Sequence, residues 1–311
     1  MTSEVYTPDR PLKIGTRGSP LALAQAHETR RRLMDAHDMP EEAFAITVIT
    51  TTGDAVQDRP LSEIGGKGLF TKEIEAALMD GRIDLAVHST KDVANTLPDG
   101  LVLSTYLPRE DVRDSFISRK HASIADLPQG AVVGCSSIRR RAQLLALRPD
   151  VSFVEFRGNV QTRLRKLDDG LAEATFLACA GLQRLNEPDL INPVPVDVML
   201  PAVAQGAISL EQREGDEGVS ALIAPLNHAD TALCVRVERA MLAELDGSCR
   251  TPIGGLATLE GGDVVLRGEI VRPDGKISHS DEWRAPRADA VAMGASAGRI
   301  LKERAGPGFL A

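Results

Sequence analysis

Apolar positions in the first part of the chain alternate between short continuous runs and longer stretches with helical spacing. PLKIGTRGSPLALAQAHETRRRLMDAHD predicts a strand, a turn and an amphipathic helix, with Ser19 and Pro20 as the helix start. AITVITTTGD is predicted as a buried strand, TKEIEAALMDGR as a helix and DLAVHST as another strand. This βαβ alternation predicts a parallel sheet.

The same pattern begins again further along the chain. GAVVGCSSIRRRAQLLALRPD repeats strand, small polar turn and helix, and VSFVEFRGNVQTRLRKLDDG repeats them with Asn159 as the helix cap. ATFLACAGLQRL supplies a further strand and turn. Two connecting segments, near 104–114 and 191–207, indicate that the chain leaves one lobe, builds a second and returns. We therefore predict an α/β fold with two similar doubly wound lobes, periplasmic-binding-protein-like, around a cleft.

The pattern changes again from about Asn227. HADTALCVRVERAMLAELDG and ADAVAMGASAGRILKERAG predict helices, and LATLEGG, DVVLRGEIVRPDG and KISHSDEWRA predict strands joined by glycine turns. These elements predict a small α+β C-terminal domain. The expected division is a first lobe of residues 1–107 and 201–225, a second lobe of residues 108–200, and the α+β domain of residues 226–311.

Composition and charge exclude several classes of protein. A net charge of −8 over 311 residues disfavours nonspecific nucleic-acid binding. No window approaches the ~20 apolar residues of a membrane span, and the N-terminus has no apolar run of signal-peptide length. We expect a cytoplasmic protein with neither a nucleic-acid nor a membrane partner. The four cysteines have no C-x-x-C spacing, so free thiols and no metal site are expected.

Arginines recur at the predicted strand-to-helix turns. They are Arg17 beside Ser19, Arg139 and Arg140 after Ser136 and Ser137, Arg157 before Gly158 and Asn159, and Arg163 one turn into the next helix. In doubly wound folds such turns face the ligand crevice, and helix N-termini attract anions. Base-composition bias is an alternative source for a chain with 28 Arg and 8 Lys. Together these turns predict a cleft for a ligand with several carboxylates or phosphates.

HSTKDV, residues 88–93, ends a predicted strand with Lys91 and Asp92. A carboxylate at that place can move a proton or stabilise a developing cation, and the alternative is a turn residue that caps the next segment. His88 is expected to be a hydrogen-bonded strand-end histidine. Gly65-Gly66-Lys67-Gly68 does not meet the phosphate-loop pattern and is predicted to be a flexible lid.

GSCRTPIGG, residues 247–255, places Cys249 in a glycine-flanked loop beside Arg250. A neighbouring cation favours the thiolate, which is the reactive form of cysteine. The alternative is an incidental exposed thiol.

Ordered segments over nearly the whole chain carry a resemblance to one family. They are TRGSPLALAQAH, TTGD, IGGKGLFTKEIE, DLAVHSTKDV, GCSSIRRRAQL, FRGNVQTRLRKL, LACAGLQRL, LPAVAQGA and VERAMLAELDGSCRTPIG. In these segments the chain resembles the porphobilinogen deaminase, or hydroxymethylbilane synthase, family. Ala204 stands where glycine is usual in that family, and Thr90 stands where an apolar residue is more usual.

The resemblance implies an enzyme of tetrapyrrole biosynthesis. Such a transferase joins four porphobilinogen molecules head to tail, releases four ammonias and frees hydroxymethylbilane by hydrolysis. Loss of ammonia leaves a cationic azafulvene, which the free α-carbon of the growing chain attacks. The resemblance also implies a monomer.

The resemblance also assigns roles to individual residues. It implies that Cys249 carries a dipyrromethane primer through a thioether and that Asp92 is the catalytic carboxylate. Primer binding falls to Lys91, Asp92, Ser137, Arg139 and Arg140, and substrate binding to Arg17, Ser19, Arg157, Arg163 and Arg184. Arg148 and Arg165 match no site and are expected at the surface. The alternative class is a protein that only captures an anionic ligand.

Overall fold

The computed structural model describes residues 6–55, 71–247 and 251–309. The strands are β1 Leu12–Arg17, β2 Phe44–Ile49, β3 Leu85–Ser89, β4 Leu101–Tyr106, β5 Asp114–Ser118, β6 Val132–Gly134, β7 Ser152–Val154, β8 Ala174–Ala178, β9 Ile208–Arg213, β10 Ile253–Glu260, β11 Asp263–Val271 and β12 Ser278–Pro286. The α-helices are α1 Pro20–His37, α2 Thr52–Ala55, α3 Lys72–Met79, α4 Ile138–Leu147, α5 Val160–Asp168, α6 Cys179–Arg184, α7 Glu217–Ile223, α8 Ala229–Glu244 and α9 Ala290–Ala305. Short 3₁₀ turns lie at Glu41–Ala43, Thr90–Asp92, Pro188–Leu190 and Ala224–Leu226.

The first sheet has the strand order β2-β1-β3-β9-β4. β1 runs parallel to β2 and β3, whereas β9 runs antiparallel to β3 and β4. Apolar side chains cover both faces of this sheet. One core cluster contains Leu12, Leu33 and Phe44, and another contains Ile74 and Ile83.

The second sheet repeats this arrangement with the strand order β7-β6-β8-β5. Three strands are parallel and the fourth, β5, is antiparallel to β8. The prediction of two similarly built α/β lobes is therefore confirmed. The predicted parallel pairing is confirmed for β1, β2 and β3, and each sheet also contains an antiparallel strand, because that strand enters at the carboxyl end of its neighbour. Ile208 pairs with Ser89 and Asp114 pairs with Ala178, so both strands must run backwards.

β2 differs from the buried strand that its apolar sequence predicts. Val48 is 54% exposed, and three further β2 residues are only half-buried. The cause is position, because β2 is the edge strand of its sheet. Apolar content alone does not distinguish an edge strand from a central one.

The third sheet is an antiparallel meander in the order β10-β11-β12, as the glycine turns predict. The helices α8 and α9 approach closely at two glycines. A Cβ at Gly294 would lie 2.4 Å from the carbonyl oxygen of Val237, and one at Gly298 would lie 2.4 Å from that of Met241. Side chains larger than hydrogen would therefore push these helices apart.

Backbone contacts divide the described residues into two compact units. The first unit comprises 6–55, 71–109 and 207–232, and the second unit comprises 110–206, 233–247 and 251–309. Within the second unit, the N–H of Gly255 donates to the carbonyl of Pro201 at 2.9 Å. The division into three domains that the sequence suggests stays a prediction. Among the described helices, none is both long enough and apolar enough to cross a membrane.

Candidate active site

The turn after β1 lies in the first unit and carries Arg17 and Ser19. Ser19 has an extended backbone and accepts a hydrogen bond from the N–H of Ala22 at 3.3 Å, and Pro20 occupies the first turn of α1. The predicted helix start is confirmed. Arg17 ends β1 two residues before this cap, so the chain places a cationic residue next to the turn that begins an 18-residue helix.

The turn after β3 carries Lys91 and Asp92 in a 3₁₀ turn. Thr90 anchors it, because its N–H and its hydroxyl both donate to the carbonyl of Ala207 at 3.0 Å. Thr90 is fully buried. The family that the chain resembles more usually has an apolar residue here, and the Thr90 hydroxyl is accommodated by this hydrogen bond. The bond joins the Lys91-Asp92 turn to the residue before β9.

A small cavity in the first unit lies against both turns. Its lining includes Arg17, Ser19, Gln25, His88, Ser89 and Asp92. The fold thus brings the carboxylate of Asp92 to the same cavity as the arginine and the helix cap of the preceding turn. Asp92 and the pair Arg17 and Ser19 come from two separate segments of the sequence.

Two hydrogen-bonded pairs lie beside this cavity, one partly buried and one buried. Gln25 donates from Nε2 to Oγ of Ser89 at 2.8 Å and accepts from that hydroxyl at 3.0 Å. Nε2 of His88 lies 2.8 Å from Oε2 of Glu211, and both side chains are buried. The expectation that His88 is a hydrogen-bonded strand-end histidine is confirmed. These pairs fix the end of β3 against α1 and β9.

The turn after β6 belongs to the second unit. Ser137 caps α4, and its hydroxyl accepts from the N–H of Arg140 at 3.4 Å. The hydroxyl of Ser136 donates to the carbonyl of Phe156 at 2.6 Å, which joins this turn to the next one. Arg139 and Arg140, in the first turn of α4, are buried at 5% and 7% exposure.

Asp114, the first residue of β5, is the acid that both arginines contact. Nη2 of Arg139 donates to its Oδ2 at 2.7 Å, and Nη2 of Arg140 donates to its Oδ1 at 2.7 Å. Gln205 donates to the same Oδ1 at 2.9 Å. Complete burial alone would raise the pKa of Asp114, but the two guanidinium groups outweigh it and hold the pKa far below its usual range.

The turn after β7 carries Arg157, Gly158 and Asn159. Asn159 caps α5 as predicted, because its Oδ1 accepts from the N–H and the hydroxyl of Thr162 at 2.9 Å. Arg163 donates from Nε to the carbonyl of Gly158 at 3.0 Å. Burial and the nearby charge of Arg140 lower the pKa of Arg163 to about 10, so it stays cationic at neutral pH.

Three more arginines named in the sequence analysis are Arg148, Arg165 and Arg184. Arg184 ends α6 and donates to the carbonyl of Gly206 at 3.1 Å. Arg165 is exposed, as expected. Arg148 is partly exposed, as expected of a surface residue, and its guanidinium donates to the carbonyls of Ile124, Leu127 and Pro128 at 3.1 Å and to Asp150 at 2.8 Å. A loop that leaves carbonyls unpaired needs such a donor.

Two predicted features lie outside the described residues. They are the glycine segment 65–68 and the loop position of Cys249. The described residues that precede Cys249 have a defined backbone conformation. α8 ends at Glu244, Asp246 takes a φ of 51°, and Gly247 donates to the carbonyl of Leu242 at 3.0 Å.

The sequence reasoning missed Asp114 and Gln205. Both lie in segments that were read as connections between lobes. A signal was present, because DSFIS places an acid two residues before the apolar pair Phe116 and Ile117, and an acid there needs a partner when it is buried.

Ala204 explains a family preference for glycine. Its φ is 61°, it is almost fully buried, and its N–H donates to Oε2 of Glu238 at 2.6 Å. A left-handed backbone costs alanine more than glycine, so the usual glycine has a physical reason.

Comparisons with known proteins cover nearly the whole chain. A family model described as "Porphobilinogen deaminase, dipyromethane cofactor binding domain" matches residues 12–221, and one described as "Porphobilinogen deaminase, C-terminal domain" matches residues 232–303. The chain is 59% identical over 308 residues to the porphobilinogen deaminase of Paracoccus denitrificans, covering 99% of this chain and 98% of that one. It is 54% identical over 297 residues to that of Nitrobacter hamburgensis, covering 95% and 94%.

Solved structures give a more distant likeness. The periplasmic VFT2 domain of BvgS from Bordetella pertussis is 14% identical, with a TM-score of 0.39 over 71% of this chain and 86% of that one. The aliphatic sulphonate binding protein SsuA of Escherichia coli is 13% identical, with a TM-score of 0.41 over 76% and 70%. These values are too low to support an inference about function.

Proposed function

The chain belongs to the porphobilinogen deaminase family, and from this premise we propose how its own side chains carry out the reaction. It is a transferase of tetrapyrrole biosynthesis that joins four porphobilinogen molecules head to tail into hydroxymethylbilane with release of ammonia. It uses a dipyrromethane cofactor as the primer of the growing chain. Family membership disfavours the alternative of a protein that only captures an anion.

The chemistry of the second unit fits such a cofactor. A dipyrromethane built from two porphobilinogen units carries four carboxylates. Arg139 and Arg140 share the single hydrogen-bonded carboxylate of Asp114, and within the described residues the Nε atoms of both arginines have no hydrogen-bond partner. Glu269 is a further acid near Arg139, and burial raises its pKa. Arg163 is a further cation, and the described residues give it only a backbone carbonyl as a hydrogen-bond partner. A polycarboxylate supplies the missing negative charge.

The attachment point and the primer-binding residues are part of the proposal. Cys249 forms the thioether, since sulfur is a strong nucleophile toward an electrophilic methylene. When bound, the dipyrromethane supplies the free pyrrole α-carbon at which the product grows. Lys91, Ser137, Arg139 and Arg140 bind its carboxylates.

Asp92 is the proposed catalytic residue. Its carboxylate accepts a hydrogen bond from the pyrrole N–H of porphobilinogen and stabilises the positive charge that develops as ammonia leaves. It then takes the proton that the attacking α-carbon of the growing chain must lose once the new carbon–carbon bond has formed. The observation that carries this assignment is the cavity that Asp92 lines together with Arg17 and Ser19.

Substrate carboxylates need cations and N–H donors. Arg17 supplies a guanidinium and Ser19 marks the N-terminus of α1, where free N–H groups point outward. We assign Arg157, Arg163 and Arg184 to the carboxylates of the incoming substrate and the elongating chain. Planar guanidinium forks suit carboxylates better than lysine does.

The test is the intact mass of protein made in cells that supply porphobilinogen, measured after denaturation. We expect the chain plus two pyrrole units for the native protein and the bare chain for Cys249→Ala. Cys234→Ala, which removes another cysteine of the same helix-and-loop segment, is the matched control and should keep the added mass. Alkylation of the denatured native protein should label three thiols, those of Cys135, Cys179 and Cys234.

Two results would contradict the assignment. A bare-chain mass for the native protein would show that it carries no primer, and added mass on Cys249→Ala would show that the primer is attached to another residue.

We further propose a monomer in the cytoplasm without nucleic-acid or membrane partners. The net charge of −8 supports the exclusion of nucleic acid, and size-exclusion chromatography tests the monomer.

A further inference from the structure

We propose that Asp114 is a positioning residue for the primer: it fixes the guanidinium groups of Arg139 and Arg140 and cancels one of their two charges. This inference rests on the proposed function, in which these arginines bind primer carboxylates. Asp114 lies at the first residue of β5, opposite Ala178 at the end of β8, and its side chain is fully buried. It has no role among the residues assigned above.

Each guanidinium is held on two sides. Arg139 donates from Nη1 to the carbonyl of Leu200 at 2.8 Å and from Nη2 to Asp114 at 2.7 Å. Arg140 donates from Nη1 to the carbonyl of Phe176 at 2.8 Å and from Nη2 to Asp114 at 2.7 Å. Arginine has a large rotamer entropy, and this entropy is already lost before any ligand arrives. The arginines are therefore preorganised for binding.

The carboxylate of Asp114 is itself held. Nε2 of Gln205 donates to Oδ1 of Asp114 at 2.9 Å and to the carbonyl of Val112 at 2.8 Å. One oxygen of Asp114 thus receives Arg140 and Gln205, and the other receives Arg139. A single carboxylate sets the position of both arginines relative to the start of α4.

The charge balance argues against a purely structural ion pair. Replacing a buried ion pair by apolar residues of similar volume often leaves a protein equally stable, so stability alone gives little reason to keep the pair. Here the three hydrogen-bonded side chains are not neutral, because two guanidinium groups meet one carboxylate. Glu269 also lies near Arg139, but its burial raises its pKa and so disfavours its charged form. Two buried arginines facing each other without Asp114 would repel in a poorly solvated site. The arrangement keeps one positive charge fixed in place, which a binding site for an anion needs and a core does not.

The decisive experiment compares Asp114→Asn with Asp111→Asn in holoenzyme purified from cells that supply porphobilinogen. Asparagine keeps the shape of the side chain and removes its charge. Asp111 is three residues earlier, and it also pairs with an arginine, Arg113 at 2.7 Å, but this pair is partly exposed. Intact mass gives the fraction of chains that carry primer, and turnover is then expressed per primed chain.

We expect Asp114→Asn to lower primer occupancy and to reduce kcat per primed chain at least tenfold, with a smaller change in KM. Asp111→Asn should stay within twofold of the native enzyme. A purely structural role would lower the melting temperature of Asp114→Asn and leave the rate per primed chain unchanged. That result would overturn the inference. Native protein without any primer would instead refute the proposed function, so the two failures are distinguishable.

A second variant keeps the test valid if Asp114→Asn does not fold. Gln205→Met retains all three charges and a side chain of similar length, but it removes the hydrogen bond that orients Asp114. We expect it to fold and to lose a few-fold of kcat per primed chain. If Asp114→Asn is unfolded and Gln205→Met is folded, a native rate per primed chain in Gln205→Met would overturn the positioning role of Asp114.

Discussion

One added methyl group at Gly134 tests the packing that supports the second unit's turns. Gly134 ends β6, and an ideal Cβ there would lie 2.4 Å from two ring atoms of Phe156 and 2.5 Å from a third. Ordinary contact begins near 3.4 Å, so the ring must move by about 1 Å. Phe156 is fully buried and can move only by displacing its neighbours.

The expected loss of stability follows from two opposing effects. Overpacking a core costs roughly 1–3 kcal/mol. Replacing glycine by alanine within a strand returns about 0.5–1 kcal/mol, because the unfolded chain loses freedom. The φ of Gly134 is outside the left-handed region, so backbone strain does not contribute. We expect Gly134→Ala to lower the free energy of unfolding by about 1–2 kcal/mol.

The same displacement should reach the site. The carbonyl of Phe156 accepts from Ser136 at 2.6 Å, and Arg157 is the next residue. A shift of this ring therefore disturbs both turns, and we expect reduced turnover as well as reduced stability. Urea unfolding measures the stability, and turnover per primed chain measures the site.

A double-mutant cycle isolates the steric cause. Phe156→Leu removes the ring atoms that Gly134→Ala would meet, so the combined variant should be less destabilised than the sum of the two changes. Gly218→Ala is the control, because its Cβ would lie 3.7 Å from its nearest neighbour, and it should stabilise α7 by about 0.5–1 kcal/mol. Additive effects in the cycle, or native stability of Gly134→Ala, would refute the reasoning.

Two further outcomes follow from the site and the core. Asp92→Asn should reduce kcat about 10²–10⁴-fold without loss of stability. The control Asp99→Asn, at an exposed residue, should leave kcat unchanged. A native kcat for Asp92→Asn would show that Asp92 is not the catalytic residue. Burial raises the pKa of the Cys179 thiol to about 11, so the folded chain keeps a proton that the unfolded chain loses near pH 9. This contribution to stability is complete below about pH 9 and is lost as the pH rises to about 11. The free energy of unfolding, measured with urea, should therefore fall less over that range for Cys179→Ala than for the native protein. Equal falls in the free energy of unfolding of the native protein and of Cys179→Ala would contradict this prediction.

Local chemistry was the most predictable part of this molecule. The caps at Ser19 and Asn159 were readable because a cap depends on a few neighbouring residues. The similarity of the two lobes was readable because strand, turn and helix recur in the same order. The primer and substrate residues came from the family resemblance, and the fold then brought Arg17, Ser19 and Asp92 to one cavity.

Long-range pairing was the least predictable part. β2 has the apolar content of a central strand, yet it lies at an edge, because strand order depends on the entire sheet. The partners of Asp114 are 25, 26 and 91 residues away in the chain, so no local pattern joins them. The partners of Arg148 were equally unpredictable, because the carbonyls it contacts belong to a loop 20 to 24 residues earlier.

The position of β9 has a consequence for how the protein is made. β9 lies between β3 and β4, yet its residues, Ile208–Arg213, follow the whole of the second sheet in the chain. A ribosome therefore exposes β3 and β4 with unpaired edges until the chain has passed residue 213. The first lobe cannot mature before the second has been synthesised, although it begins the chain. Slow translation or truncation between these points would leave those edges open to aggregation.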